Sequence, residues 1–74
     1  MVQPESNKGF KLVLETALLA APAPLTVSEL RRLFEDDPGS DEVRRVLGEL
    51  VDDWQGRGVE LVQTAGGWRF QTRI

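Results

Sequence analysis

The chain has 74 residues, with nine lysines and arginines, twelve aspartates and glutamates, and neither cysteine nor histidine. This length allows one domain with a small core, because a domain of this size buries only about 60% of the surface its unfolded chain exposes. Without cysteine and histidine there is no disulfide, no Ser-His-Asp arrangement and none of the common zinc ligand sets. We therefore expect neither an enzyme nor a bound cofactor, metal or small-molecule substrate.

The formal net charge is −3. It disfavours a domain that binds DNA alone, since such domains usually carry a basic surface. The longest apolar stretch, residues 17–24, is far shorter than the roughly 20 residues that a membrane span needs. Residues 1–5 also lack the basic segment of a secretory signal. We therefore expect a cytoplasmic protein.

The first helix is predicted to follow a flexible leader at residues 1–8, which are polar and lack periodicity. From there we expect one domain, residues 9–74. Pro22 and Pro24 end the helix, because proline lacks an amide hydrogen. Its apolar stripe, which recurs at helical spacing, comprises Phe10, Val13, Leu14, Ala17, Leu18 and Ala21.

A short extended piece is expected at Leu25, and a second helix after it. Thr26 and Glu29 have the spacing of a capping box, in which each side chain bonds the backbone amide of the other residue. This helix is predicted to direct its apolar side chains inward and to end at residues 35–39, where an acidic run meets turn-forming residues. The inward side chains would be Val27, Leu30, Leu33 and Phe34.

The third helix is the most regular pattern in the chain. Ser40 is predicted to cap it, and Asp41 and Glu42 would lie near the positive end of its dipole. Gly56 is interpreted as a left-handed residue just beyond its end. The apolar positions recur without a break at Val43, Val46, Leu47, Leu50, Val51 and Trp54.

After residue 58 the apolar period changes from 3.6 to 2, which indicates a β-hairpin around residues 65–67, with glycines at positive φ. Three helices followed by a hairpin are typical of an α+β winged helix-turn-helix domain, with the hairpin as the wing. The inner face of the wing is predicted to carry Val59, Leu61, Trp68, Phe70 and Ile74, and the outer face Glu60, Arg69, Gln71 and Arg73.

Two stretches resemble the segregation and condensation protein B family. The first is residues 15–26, ETALLAAPAPLT, similar to the family's run of Glu-Ala-Leu-Leu-Phe-Ala, a small residue, Gly-x-Pro-Leu-Ser. The second is residues 57–72, RGVELVQTAGGWRFQT, similar to its wing. The chain departs from the family pattern at Pro22, where glycine is usual, and at Gln63, where an acidic residue is common.

The resemblance implies a non-catalytic module of the machinery that condenses and partitions chromosomes. Members of this family act with a kleisin subunit, segregation and condensation protein A, and with an SMC ATPase at the nucleoid. They typically have two winged-helix domains, dimerise largely through the first and contact the kleisin largely through the second. The resemblance therefore predicts that this chain, which ends as the first wing closes, keeps the homodimerisation module and lacks much of the kleisin contact.

Leu12 and Leu19 are the leading candidates for a dimer contact. They are seven residues apart, so they fall together on the side of the first helix opposite its core stripe. Either a loop or the hairpin of the same domain covers them, or a second copy does. Trp68 and Phe70 of the wing are further candidates. Gly48 is another, because a glycine inside a helix costs about 1 kcal/mol relative to alanine, which a closely approaching backbone would offset; a tolerated surface glycine is the simpler interpretation.

A DNA-binding transcription regulator is the alternative, because winged helices often place the third helix in the major groove. Arg57, Arg69 and Arg73 of the wing would then contact phosphate, weakly and with strong salt dependence, although a solvated face with a cross-strand pair to Glu60 explains them more simply. The outer face of the third helix is unfavourable for DNA, with five acids and two bases: Asp41, Glu42, Arg44, Arg45, Glu49, Asp52 and Asp53. DNA contact is therefore expected to be indirect at most.

Overall fold

A computed structural model describes residues 7–73, with side chains from residue 9 onward. Its elements are α1 (Asn7–Ala20), α2 (Val27–Arg31), α3 (Ser40–Asp53), β1 (Val59–Thr64) and β2 (Gly67–Thr72). The two strands form an antiparallel hairpin, so the predicted winged-helix architecture is confirmed. Residues 1–6 of the predicted leader lie outside the described residues, as does Ile74, and α1 includes residues 7 and 8.

One core joins all three helices to β1. Its fully buried leucines and valines come mainly from the apolar stripe of α3, whose 3.6-residue period brings them to one side of the helix. Each such side chain contributes about 1.5–3 kcal/mol when it leaves water. The buried residues are Phe10, Leu14, Leu18, Leu30, Val43, Val46, Leu47, Leu50 and Leu61.

Helix α2 is shorter than its apolar pattern predicts. The capping box is confirmed, with Glu29 N–H donating to Thr26 Oγ1 at 3.1 Å and Thr26 N–H donating to Glu29 Oε1 at 2.8 Å. The helix ends at Arg31, however, and the prediction that Leu33 packs inward is wrong, since Leu33 is 46% exposed. The chain turns directly after Arg31, which carries Leu33 outward while Phe34 stacks on Phe10 with ring centroids 4.7 Å apart.

The loop between α2 and α3 is held by a single arginine. Arg31 binds the Asp37 carboxylate through two nitrogens and donates to Ser40 Oγ at 3.2 Å. Asp37 also accepts the Gly39 amide at 2.9 Å, and these bonds, above all that from Arg31, lower the pKa of Asp37 to about 2. The prediction that Ser40 caps α3 is wrong: Gly39, at φ 87°, is the cap residue and Ser40 is the first helical residue. The hydroxyl of Ser40 is bound to Arg31 instead.

A third extended segment joins the wing. Leu25 forms a bridge with Trp68 through two backbone hydrogen bonds of 2.9 and 2.7 Å, which confirms the short extended piece predicted there. Gly67 makes this approach possible: it has φ 129°, and a Cβ on it would lie 2.5 Å from the carbonyl of Leu25. Gly56 adopts the predicted positive φ of 80°, two residues beyond the cap residue Trp54.

Candidate interaction surface

Helix α1 presents an apolar stripe to solvent. Leu12 is 59% exposed and Leu19 is 51% exposed, and Thr16 and Ala20 are exposed on the same side of the helix. The interpretation in which a loop or the hairpin of the domain covers these leucines is therefore wrong. Two leucines separated by small side chains form a flat surface one helix wide, which we call the α1 stripe (Leu12, Thr16, Leu19, Ala20). An exposed contiguous apolar surface is typical of an interaction site.

The flank of α1 beside this stripe is tied to α3 by polar contacts. Lys11 Nζ lies 2.6 Å from Asp53 and 3.4 Å from Glu49, and the hydrogen bond to Asp53 is the main cause of the raised pKa of Lys11. One turn later, the Trp54 indole N–H donates to Glu15 Oε2 at 2.7 Å. These contacts, which we call the α1–α3 seam, fix the rotation of α1 about its axis and so the direction in which the α1 stripe faces.

Trp54 extends the seam to the wing. Its ring packs against Phe70 with centroids 5.0 Å apart, and the Arg57 guanidinium lies 4.9 Å from its ring centre on a face. A cation over an indole is attracted by the negative face of the ring. One tryptophan thus contacts α1, β2 and the segment that leads into β1.

The outer face of α3 is acidic, and one of its two arginines is neutralised by ion pairs. Arg45 lies 2.6 Å from both Glu42 and Glu49. The hydrogen bond from Arg45 lowers the pKa of Glu42, and that to Glu42 is the main cause of the raised pKa of Arg45. Arg44 is the other arginine on this face, and it forms no ion pair with any residue of the described range 7–73. A phosphate backbone would meet a largely negative surface here.

The structure does not bring the three wing arginines into one patch. Arg57 lies over Trp54, and its carbonyl accepts from Arg73 Nε at 3.2 Å. Arg73 also lies 3.5 Å from Glu60, in the manner of the predicted cross-strand pair. Arg69 is four residues from Arg73 in extended backbone, so their Cα atoms are about 13 Å apart.

Arg69 instead lies at a groove between the end of α1 and the wing, in which most of the lining residues are apolar. The groove has a volume of about 140 Å³. Leu19 belongs both to this groove and to the α1 stripe, so the two surfaces are continuous. The lining residues are Leu18, Leu19, Ala21, Pro22, Ala23, Pro24, Arg69 and Phe70.

The other candidate contact residues are scattered. Phe70 is half-buried at the groove, whereas Trp68 is half-buried against the core, and its Nε1 is buried without a hydrogen-bond partner among the described residues. Gly48 is exposed on α3, and a Cβ there would meet no atom within 4 Å. The structure therefore places Leu12 and Leu19 together on the α1 stripe, and Leu19 and Phe70 together at the groove. Gly48 and Trp68 belong to neither surface.

A second depression of about 440 Å³ lies beside α2. Its charged lining residues include Arg31 and Asp37, which bind each other. Within residues 7–73, no group of three acidic side chains is placed to hold a metal ion. No helix in the same part of the chain is long and apolar enough to cross a membrane.

Sequence reasoning missed the α1–α3 seam. Lys11 and Glu15 are four residues apart and therefore lie on one side of α1, which was the available signal. The spacing alone does not reveal that Asp53 and Trp54 are their partners, because those residues are about 40 positions further along the chain.

Three helices, an extended residue paired with the wing and a two-stranded hairpin define the class of winged-helix domains. The family model of the segregation and condensation complex subunit ScpB matches residues 12–74. The chain belongs to this family, which is named for a subunit of a complex.

Two relatives are similar along most of this chain. The segregation and condensation protein B homolog of Coxiella burnetii is 46% identical over 65 residues, which are 85% of this chain and 31% of that protein. Segregation and condensation protein B of Syntrophotalea carbinolica is 35% identical over 66 residues, 86% of this chain and 32% of that protein. The chain thus spans about a third of the length of these relatives.

Two solved structures share the fold. ScpB from Mycobacterium tuberculosis superposes with a TM-score of 0.84 at 30% identity, over 97% of this chain and 45% of that one. A dimer of the ScpB N-terminal domain complexed with a ScpA peptide gives a TM-score of 0.70 at 30% identity, over 85% of this chain and 74% of that one.

Proposed function

We propose that this domain is a non-catalytic scaffold that homodimerises and helps to hold an SMC–kleisin complex at the nucleoid in the cytoplasm. Its partners are a second copy, the kleisin, and through the kleisin an SMC ATPase, with no direct role for DNA, a membrane or a small molecule. Family membership supports the setting. The relative solved as a dimer with a ScpA peptide supports both kinds of partner.

The observation that carries the proposal is the α1 stripe. Leu12 and Leu19 are each more than half exposed on a helix whose opposite side is packed into the core. A self-complementary surface on one helix suits a two-fold contact, in which each α1 packs against its copy. Thr16 and Ala20, between and beside the leucines, allow close approach of the two helices.

The absence of catalysis has separate support. The sequence has no histidine or cysteine. Five of the eleven described acidic side chains, Asp37, Glu42, Glu49, Asp53 and Glu60, form surface ion pairs, and within residues 7–73 no three acidic side chains are gathered to hold a metal ion. Binding to the kleisin through this domain goes beyond what the resemblance alone implies, since the resemblance places most of that contact in a second domain.

Sedimentation of Leu19→Glu beside wild type tests the dimer. We expect wild type to sediment as a dimer and Leu19→Glu as a folded monomer, because a carboxylate at an apolar contact must be desolvated without a partner. Leu33→Glu is the matched control: Leu33 is 46% exposed but lies outside α1, so this variant should remain dimeric. A monomeric wild type at all accessible concentrations would remove the dimer from the proposal.

A further inference from the structure

The wing has an unpaired edge on β2. Trp68 exchanges both of its backbone hydrogen bonds with Leu25, whereas Arg73 N–H donates to Gly58 at 2.8 Å on the side of β1. Backbone groups along a strand point alternately to its two sides, so those of Phe70 and Thr72 point away from β1, as those of Trp68 do. Within residues 7–73, Leu25 provides the only pairing on that side of β2.

The chain itself does not continue the pairing beyond Leu25. The antiparallel register would place Ala23 opposite Phe70, two residues from the Leu25–Trp68 bridge on each strand. Ala23 lies between two prolines, which lack amide hydrogens and leave the backbone poorly suited to a sheet interior. Within residues 7–73 no backbone pairing joins this segment to β2 beyond Leu25, and the groove lies between the two, lined by Ala23 on one side and Phe70 on the other.

The groove and Arg69 indicate the chemistry of the occupant. A volume of about 140 Å³ is well below the roughly 300–1,000 Å³ of small-molecule sites and suits one apolar side chain. Arg69 is exposed and lines the same groove, and its guanidinium has no hydrogen bond or ion pair within the described part of the chain. An extended peptide that adds a strand to an open sheet edge combines these elements: backbone pairing, a side-chain pocket and one charged contact.

We propose that the β2 edge and the adjoining groove bind an extended kleisin segment that pairs with Phe70 and Thr72, inserts an apolar side chain and places a carboxylate beside Arg69. This inference rests on the proposed function, from which it takes the kleisin as partner. A second copy fits the edge less well, since two-fold pairing through Phe70 and Thr72 would place Arg69 opposite Arg73 of the second copy, a pair of like charges. Because Leu19 belongs to both surfaces, the bound segment lies next to the dimer contact.

Titration of the domain with fluorescent peptides tests this site. The probes are overlapping peptides of about 15 residues that span the kleisin encoded in the same genome. At least one should bind wild type and carry an acidic residue near an apolar one. Amide hydrogen exchange should then slow at Phe70 and Thr72, with little change at Arg69 and Gln71, whose amides already point to β1.

Two matched pairs of variants locate the contact. Thr72→Pro removes an outward amide without breaking a bond to β1 and should weaken binding at least about tenfold, whereas Thr72→Val keeps that amide and should stay within about twofold. Arg69→Glu should weaken binding more than Arg44→Glu, which makes the same charge change on α3. If Thr72→Pro unfolds, the comparison of Arg69→Glu with Arg44→Glu tests the site by itself.

The outcomes separate the two proposals. Tight binding of kleisin peptides that neither Thr72→Pro nor Arg69→Glu weakens would overturn this site and leave the proposed function intact. A wild-type domain that binds no kleisin peptide would overturn the site together with the kleisin contact of this domain. Dissociation of the dimer by Thr72→Pro would overturn the site by assigning the edge to the contact between copies.

Discussion

Gly67 is the residue on which the approach of Leu25 to the wing depends. Its φ of 129° is a conformation that side chains with a Cβ rarely adopt, and the Leu25 carbonyl occupies the space that a Cβ would need. Gly66, immediately before it, has neither constraint: its nearest neighbour beyond the adjacent residues would be Pro24, at an ordinary contact distance of 3.7 Å. Of these two adjacent glycines, only Gly67 is therefore required by the backbone conformation and by the approach of Leu25.

Gly67→Ala should lower the free energy of unfolding by about 2 kcal/mol or more, because it combines backbone strain with a clash that separates Leu25 from β2. Urea unfolding measures this change. Gly66→Ala serves as the control and should change stability by less than about 1 kcal/mol. Equal effects of the two substitutions would show that the close approach of Leu25 contributes little to stability.

At the scale of elements, α1 has three distinct sides. One is buried in the core, one is tied to α3 by the α1–α3 seam and one is the exposed α1 stripe. Helix α3 has a simpler arrangement, with a buried side and a charged side that includes Gly48. No atom lies within 4 Å of a Cβ at Gly48, so no contact within the described chain explains a glycine there.

Gly48→Ala should therefore raise the free energy of unfolding by about 1 kcal/mol, the difference in helix propensity between the two residues. Urea unfolding is best measured in the Leu19→Glu background, where dimerisation is expected to make no contribution. Sedimentation of the single variant Gly48→Ala then shows whether the substitution affects the dimer. An unchanged dimer would make Gly48 a tolerated surface residue, whereas a weakened dimer would place it at the contact, as the sequence allows.

The charge distribution of the whole molecule bears on the alternative function. The net charge is −3, α3 carries a chain of ion pairs from Glu42 through Arg45 and Glu49 to Lys11, and two of the wing arginines are engaged within the protein. A winged helix that reads DNA needs the opposite arrangement on these surfaces.

We therefore expect no sequence-selective binding to duplex DNA tighter than about 1 μM, even at low salt, and any weak binding should be lost as salt increases. Fluorescence anisotropy with mixed-sequence and selected duplexes measures this. Arg69→Glu provides the internal comparison, because Arg69 is the wing arginine whose guanidinium has no partner among the described residues. Selective submicromolar binding that persists at physiological salt would instead favour a transcription regulator.

The sequence by itself determined the architecture, because local physics governs its signals. The apolar period of 3.6 in α3, the Thr26–Glu29 capping box and the period of 2 in the wing each act within a few residues, and each is present in the structure. Where competing local contacts were missed, the predictions were wrong: the turn after Arg31 carries Leu33 outward, and the bond from Arg31 leaves Gly39 rather than Ser40 as the cap.

Only the tertiary structure decided which surfaces remain open. The heptad spacing of Leu12 and Leu19 placed them together on α1, but packing of distant segments determined that nothing in the described chain covers them. Likewise, the partners of Lys11 and Glu15, and the edge of β2 left free beside Pro22 and Pro24, depend on contacts between residues about 40 positions apart. Such contacts arise from the packing of whole elements, which residue spacing along one element does not encode.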